Sequence, residues 1–295
     1  MTTLQLHPLP SMRAVVREQF RAVTLVTRKF LVLLGGLLVV ADAVVIYSVL
    51  AANELARRGL PNQGVAITPG FAPFESFIVG IVAIMLAVLI WLDEDTSRRD
   101  YHWTMPVSRT THALSKVFVG WVLMMVTTLA ALVNLLMIGA LSVRMQYPLD
   151  IATDTFPVWS YLVPFTTATV AYLFASAASV GARRPMVWIM GIPTVYAGIA
   201  AAFSFGSFAM KKDVLKPLTS EYGLASLAGD LVTRSYAGYQ LQTHFMVGRW
   251  VGSVAIWGTI AAALLVYVAS RRRRNVGTWA FALLNRWASR YVPAA

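Results

Sequence analysis

The chain has 295 residues and a mass of 32.3 kDa; 58% of it is hydrophobic, only 13% is charged, and the mean hydropathy is +0.64. Soluble domains carry about 25% charged residues, so this composition excludes an ordinary water-soluble globule and makes lipid the expected solvent. The formal net charge is +12, and there is no cysteine, which excludes disulfides, thiolate metal sites and a cysteine nucleophile.

The first predicted element is residues 1–29. Met12, Val15, Val16, Val23, Val26 and Phe30 recur at helical spacing, while Arg13, Arg17 and Arg21 form an i,i+4 stripe on another face. That pattern predicts an amphipathic helix lying in the membrane interface; a solvated basic tail is the plainer alternative. A helix needs about 20 mostly apolar residues to cross ~30 Å of hydrocarbon. Six stretches meet this length: residues 30–50, 74–92, 117–141, 158–180, 186–208 and 250–269. The first resembles the apolar part of a signal peptide, but it and the 29 residues before it are too long for one.

Asp42 and the terminal Glu75 are the ionisable residues within these spans. A carboxylate at mid-bilayer is costly and is by default a functional hypothesis. Asp42 has four readings that sequence does not separate: it lines a pathway, binds a cationic substrate, accepts hydrogen bonds from a dimer partner, or is a protonated structural residue. Asn134 in the third span reads as an interhelical hydrogen bond or a second pathway residue.

Between spans two and three lies the most polar segment, Asp93 to Arg109. Its three consecutive acids, Asp93, Glu94 and Asp95, suggest a Mg²⁺ site for a membrane-embedded transferase. Consecutive helical residues point about 100° apart, however, and Arg98 and Arg99 stand where further ligands are needed. The more economical reading is a short cytoplasmic helix capped by Ser97, with Ser108 capping the helix that becomes span three. Arg98, Arg99, Tyr101, His102 and Trp103 are then available to a partner, since Arg and aromatic residues anchor interfaces.

Small residues mark spans four and five (Ala168, Ala171, Ala175, Ala178, Ser179; Gly191, Gly198, Ala202, Gly206), and such surfaces let membrane helices approach closely. Pro164 and Pro193 are expected to bend them, and residues 181–185 to form a tight hairpin. In the loop 209–249, Leu224, Leu227, Leu231 and several aromatics suggest short helices dipping into the outer leaflet. Past span six, the run Arg271 to Arg274 reads as a lipid-headgroup anchor. Trp279, Leu283, Trp287 and Tyr291 then recur every four residues in residues 270–295, predicting a second interfacial helix.

With both termini inside, the inner segments carry 17 of 25 basic residues and a net +12, against +1 outside, as the positive-inside rule requires. That distribution favours a membrane surface over nucleic acid as the basic partner. No G-x-x-x-x-G-K-[ST], G-x-S-x-G or H-E-x-x-H motif occurs, and His7, His102, His112 and His244 are scattered, so neither a P-loop ATPase nor a zinc hydrolase is expected.

The run from Glu94 through Pro106-Val107-Ser108-Arg109 to Lys116 resembles the segment between spans two and three of type-2 ATP-binding-cassette transporter permeases, and the overall topology resembles theirs too. Ser97-Arg98 and Ser115 stand where that family often has Gly-Thr and Gly. The resemblance implies an all-α membrane exporter fold of six spans with interfacial helices at both ends, working as a dimer with a second permease copy or homologue. It implies a separate cytoplasmic ATPase that supplies ATP and Mg²⁺, with no cofactor in this chain, and the bacterial inner membrane as location. Residues 95–103 would then be the helix coupling ATPase closure to the membrane, and residues 13–29 the interface helix. A membrane scaffold without transport is the remaining alternative.

Overall fold

A computed structural model of the chain describes residues 12–60, 65–67, 73–92, 109–151, 161–182, 187, 189, 191, 220–229, 231–236 and 240–270. Five α-helices dominate these residues: α1 (Met12–Arg57), α2 (Pro73–Leu92), α3 (Arg109–Ser142), α4 (Val163–Gly181) and α5 (Val247–Ser270). Between them lie four short strands, β1 (Val65–Ile67), β2 (Leu149–Ile151), β3 (Leu231–Tyr236) and β4 (Gln240–Phe245), and a 3-10 helix, η1 (Leu224–Ala228). Among the described residues, α1, α3, α4 and α5 are long and apolar enough to cross a membrane, and residues 78–92 of α2 form a shorter apolar helix. The chain is accordingly a helical membrane protein; in hydrocarbon a backbone must satisfy its own hydrogen bonds, and a helix does so within one segment.

Helix boundaries follow the apolar runs with instructive exceptions. The predicted break at residue 30 is absent: residues 12–29 and 30–50 continue as one helix of 46 residues. No proline interrupts it, and its length of about 69 Å exceeds the ~30 Å hydrocarbon core, so part of α1 extends beyond that core. Pro164, expected to bend the fourth span, sits within the first two positions of α4, where a missing N–H costs nothing because no intrahelical acceptor faces it. In the loop expected to hold short helices, residues 231–236 and 240–245 instead pair as the antiparallel strands β3 and β4, with Leu231 opposite Phe245 and Tyr236 opposite Gln240. The expected fifth span, 186–208, lies outside the described residues apart from 187, 189 and 191, as do the loop 183–186 and the basic tail 271–295.

The core is built around α4, which packs against α2 on one side and α5 on the other. Ala168, Ala175, Ala177 and Ser179 are buried along it, so small side chains bring the neighbouring helices close. Tyr172 is fully buried among Leu86, Ile90 and Met124, and its hydroxyl donates to the Val117 carbonyl at 3.1 Å. Gly120 makes this crossing possible: a Cβ there would collide with Tyr172 Oη and Ile90 Cδ1. Trp121 Nε1 donates to Thr169 Oγ1 at 3.2 Å, which adds a second polar tie between α3 and α4.

Contacts assign the helix ends to two opposite ends of the bundle. At the first, Gln19 of α1 meets His112 of α3, Thr110 donates to Ala269 O of α5, and Gly181 of α4 lies against Val268. The start of α1 and the finish of α5 therefore share one end. At the second, Asn53 of α1 donates to Tyr147 O at 3.0 Å and accepts from Tyr147 N at 2.9 Å. There β1 and β2 pair in parallel, and η1 is fastened to α4 and α5 by Thr167 donating to Leu227 O, Ser253 to Gly223 O and Trp257 to Tyr222 O.

Candidate functional site

Sequence placed the chemistry in two regions, the polar link between α2 and α3 and the polar residues within the spans. Of the link, Glu94, Asp95, Arg98, Arg99, Tyr101, His102, Trp103, Pro106, Val107 and Ser108 lie outside the described residues. Arg109 is the first residue of α3. The anchors on which the link hangs are described. Trp91 in the last turn of α2 and Lys116 in the second turn of α3 are both buried, and the Lys116 ammonium stands 4.7 Å from the centre of the Trp91 ring. A cation over an indole face is attracted by the ring quadrupole, more strongly where water is excluded. This contact ties the last turn of α2 to the second turn of α3.

One turn earlier in α3, His112 Nδ1 is 3.2 Å from Gln19 Nε2. This adds α1 to the same cluster, and Val16 and Val23 of α1 pack into the core beside it. Neither Trp91 nor Gln19 was singled out as functional from sequence. The available signal was Trp91 at the last turn of a span, where aromatic residues mark the membrane interface. Arg13, Arg17 and Arg21 are exposed on α1 and, with Phe20, Thr24 and Leu25, line an open groove. This keeps the predicted stripe on one helical face.

Within the membrane region the structure brings the two predicted polar residues together. Asn134 Nδ2 of α3 donates to Asp42 Oδ1 of α1 at 2.7 Å. Both side chains are half-buried. On α1, Lys29 and Glu54 are the nearest charged residues, each roughly 18–20 Å from Asp42 along the axis, so the pair lies near the middle of the uncharged stretch of the helix. Among the described residues there is no group of three or more His, Asp or Glu side chains able to hold a metal ion; Asp93, Glu94 and Asp95 are not among them.

No protein-family model, characterised protein or solved structure matches the chain.

Proposed function

We propose that this chain is the permease subunit of an ATP-driven exporter, working with a second permease copy or homologue and seated on a separate cytoplasmic ATPase. The observation that carries this reading is the Lys116–Trp91 anchor, which ties both ends of an Arg- and aromatic-rich link to the helix core. A partner that grips the link through Arg98, Arg99, Tyr101, His102 and Trp103 thereby acts on α2 and α3 as a unit. The resemblance of Glu94, Pro106 to Arg109 and Lys116 to type-2 permeases supports an ATPase as that partner. ATP and Mg²⁺ belong to the partner, and this chain is not itself an enzyme.

Six spans with both termini inside account for the packing. α4 ends at the first end of the bundle while η1 sits at the second, which supports a reading with one more crossing between them. The basic excess of the segments at the first end marks it as cytoplasmic, in a bacterial inner membrane. The mechanism is a population shift: ATP-driven closure of the ATPases favours an outward-open permease, and hydrolysis resets it. The link contacts must differ between the two states, because a partner shifts an equilibrium only by its differential affinity. The apolar character of the spans fits an amphipathic or hydrophobic cargo such as a drug, peptide or lipid.

The test is to tag the chain, solubilise its native membrane mildly, and identify what copurifies. The expected result is a Walker-motif ATPase subunit with ATP hydrolysis in the preparation. Repeated recovery of the intact chain alone would overturn the reading and turn attention to Mg²⁺-dependent transfer at Asp93 to Asp95; a non-ATPase partner would favour a scaffold.

A further inference from the structure

We propose that the face shared by α1 and α3 around Asp42 and Asn134 seats a second copy of this chain, with the two Asp42–Asn134 pairs meeting across a two-fold axis. The inference deepens the dimeric reading above but depends only on α1 and α3 being membrane spans, not on coupling to an ATPase.

The pair is half satisfied. Asp42 Oδ1 accepts from Asn134 Nδ2, while Asp42 Oδ2 and Asn134 Oδ1 have no hydrogen-bond partner among the described residues. Exposed apolar side chains surround them: Val39 and Ile46 on α1, Met137 and Leu141 on α3. Lipid tails offer neither donors nor acceptors, and an unsatisfied polar group at this depth costs free energy. A second copy resolves the mismatch through its own sequence. Each amide still has an N–H and a carbonyl oxygen to offer, and each carboxyl a second oxygen. In a two-fold interface residue i meets j while j meets i, so a half-satisfied pair of this kind is complementary to itself. Any other protein would have to bring a matching pair to the same depth. About two turns before Asp42, a Cβ on Gly35 would meet nothing within 4 Å, which leaves room for the close backbone approach that membrane helix pairs use.

The absence of native cysteine makes the test clean. Single-cysteine variants Val39→Cys and Met137→Cys, in the full chain in its native membrane, are oxidised with copper phenanthroline; Leu33→Cys, exposed on the opposite side of α1, is the control. Disulfide-linked pairs of this chain are expected from the first two and not from the control. Asp42→Leu should lower the linked fraction about 3–30-fold, the effect of losing one or two interhelical hydrogen bonds. Asp42→Asn should retain it, because an amide still donates and accepts. Separately, Arg13→Cys and Leu60→Cys are labelled in sealed vesicles, and labelling from opposite sides establishes that α1 spans. With spanning established, no linked pairs, equal linking of Leu33→Cys, or linking to a protein of another size overturns the proposal. Labelling of both positions from one side overturns the span reading on which it stands.

Discussion

Both α1 and α4 are apolar enough to cross a membrane, yet they are held in opposite ways. In the most apolar eighteen residues of α4, half are buried; in the corresponding window of α1, none is. Composition does not make this difference, since α1 has the higher hydropathy of the two. In lipid, apolar side chains gain nothing by leaving one hydrocarbon surface for another, so association follows from close packing and interhelical hydrogen bonds. Helix α4 has Ala168, Ala175 and Ser179 where neighbours approach, and Tyr172 to bind α3. Helix α1 is held by Val16, Val23 and Gln19 at one end and Asn53 at the other. At its middle, the polar tie to the bundle is the hydrogen bond between Asp42 and Asn134.

The sharpest way to break this contrast is to overfill the tight side. Gly120→Val should cost about 3 kcal/mol, since the added atoms strike Tyr172 and Ile90, and detergent-solubilised protein should unfold at a markedly lower temperature or fail to purify as a single species. Wild-type stability in this variant would mean that α3 and α4 are not in close contact. Asn53→Ala comes next. It removes both hydrogen bonds to Tyr147 and leaves half-buried backbone groups unpaired, at about 1–2 kcal/mol; hydrogen exchange should rise around residues 49–57 and 145–149 while α4 stays protected. Tyr172→Phe deletes one hydroxyl and keeps the ring, so a loss of about 0.6–1.5 kcal/mol is expected from thermal unfolding. Gly36→Val on the open side of α1 meets nothing within 4 Å and should stay within about 0.5 kcal/mol of wild type. An effect there as large as that of Gly120→Val would dissolve the distinction between the two regions.

Much of this architecture was legible because apolar runs of sufficient length have few alternatives in lipid. The start and finish of α2 at residues 73 and 92, and the body of α3 and α5, follow from that alone. The ends were less legible where the reading depended on local signals. At residue 30 the pattern changes from amphipathic to uniformly apolar, which suggests a boundary, but both patterns are helical and no proline or glycine stops the helix between them. Pro164 falls inside the predicted span because apolarity begins at Val158, whereas α4 begins at Val163, where proline is tolerated. Strands β3 and β4 are masked in the sequence by Leu231, Tyr236 and Phe245, which also suit short helices dipping into the outer leaflet; the alternation of Leu241, Thr243 and Phe245 at period two carries the strand signal. At the site, Asp42 and Asn134 were each legible as costly polar residues, but their pairing depends on helix rotation that no single span encodes. Lys116 was legible only as part of a motif, and its seat over Trp91 emerges from the crossing of α2 and α3.

The measurement that bears most directly on the central claim is the ATP hydrolysis rate of the copurified complex in proteoliposomes, compared between the wild-type chain and the Arg98→Ala, Arg99→Ala double variant at equal membrane content. The account predicts a membrane-bound complex that hydrolyses ATP, with association or hydrolysis reduced when the two guanidinium groups of the link are removed. Full association and an unchanged rate in the double variant would contradict the link as the coupling element, and a chain that binds no ATPase in either form would contradict the exporter reading itself.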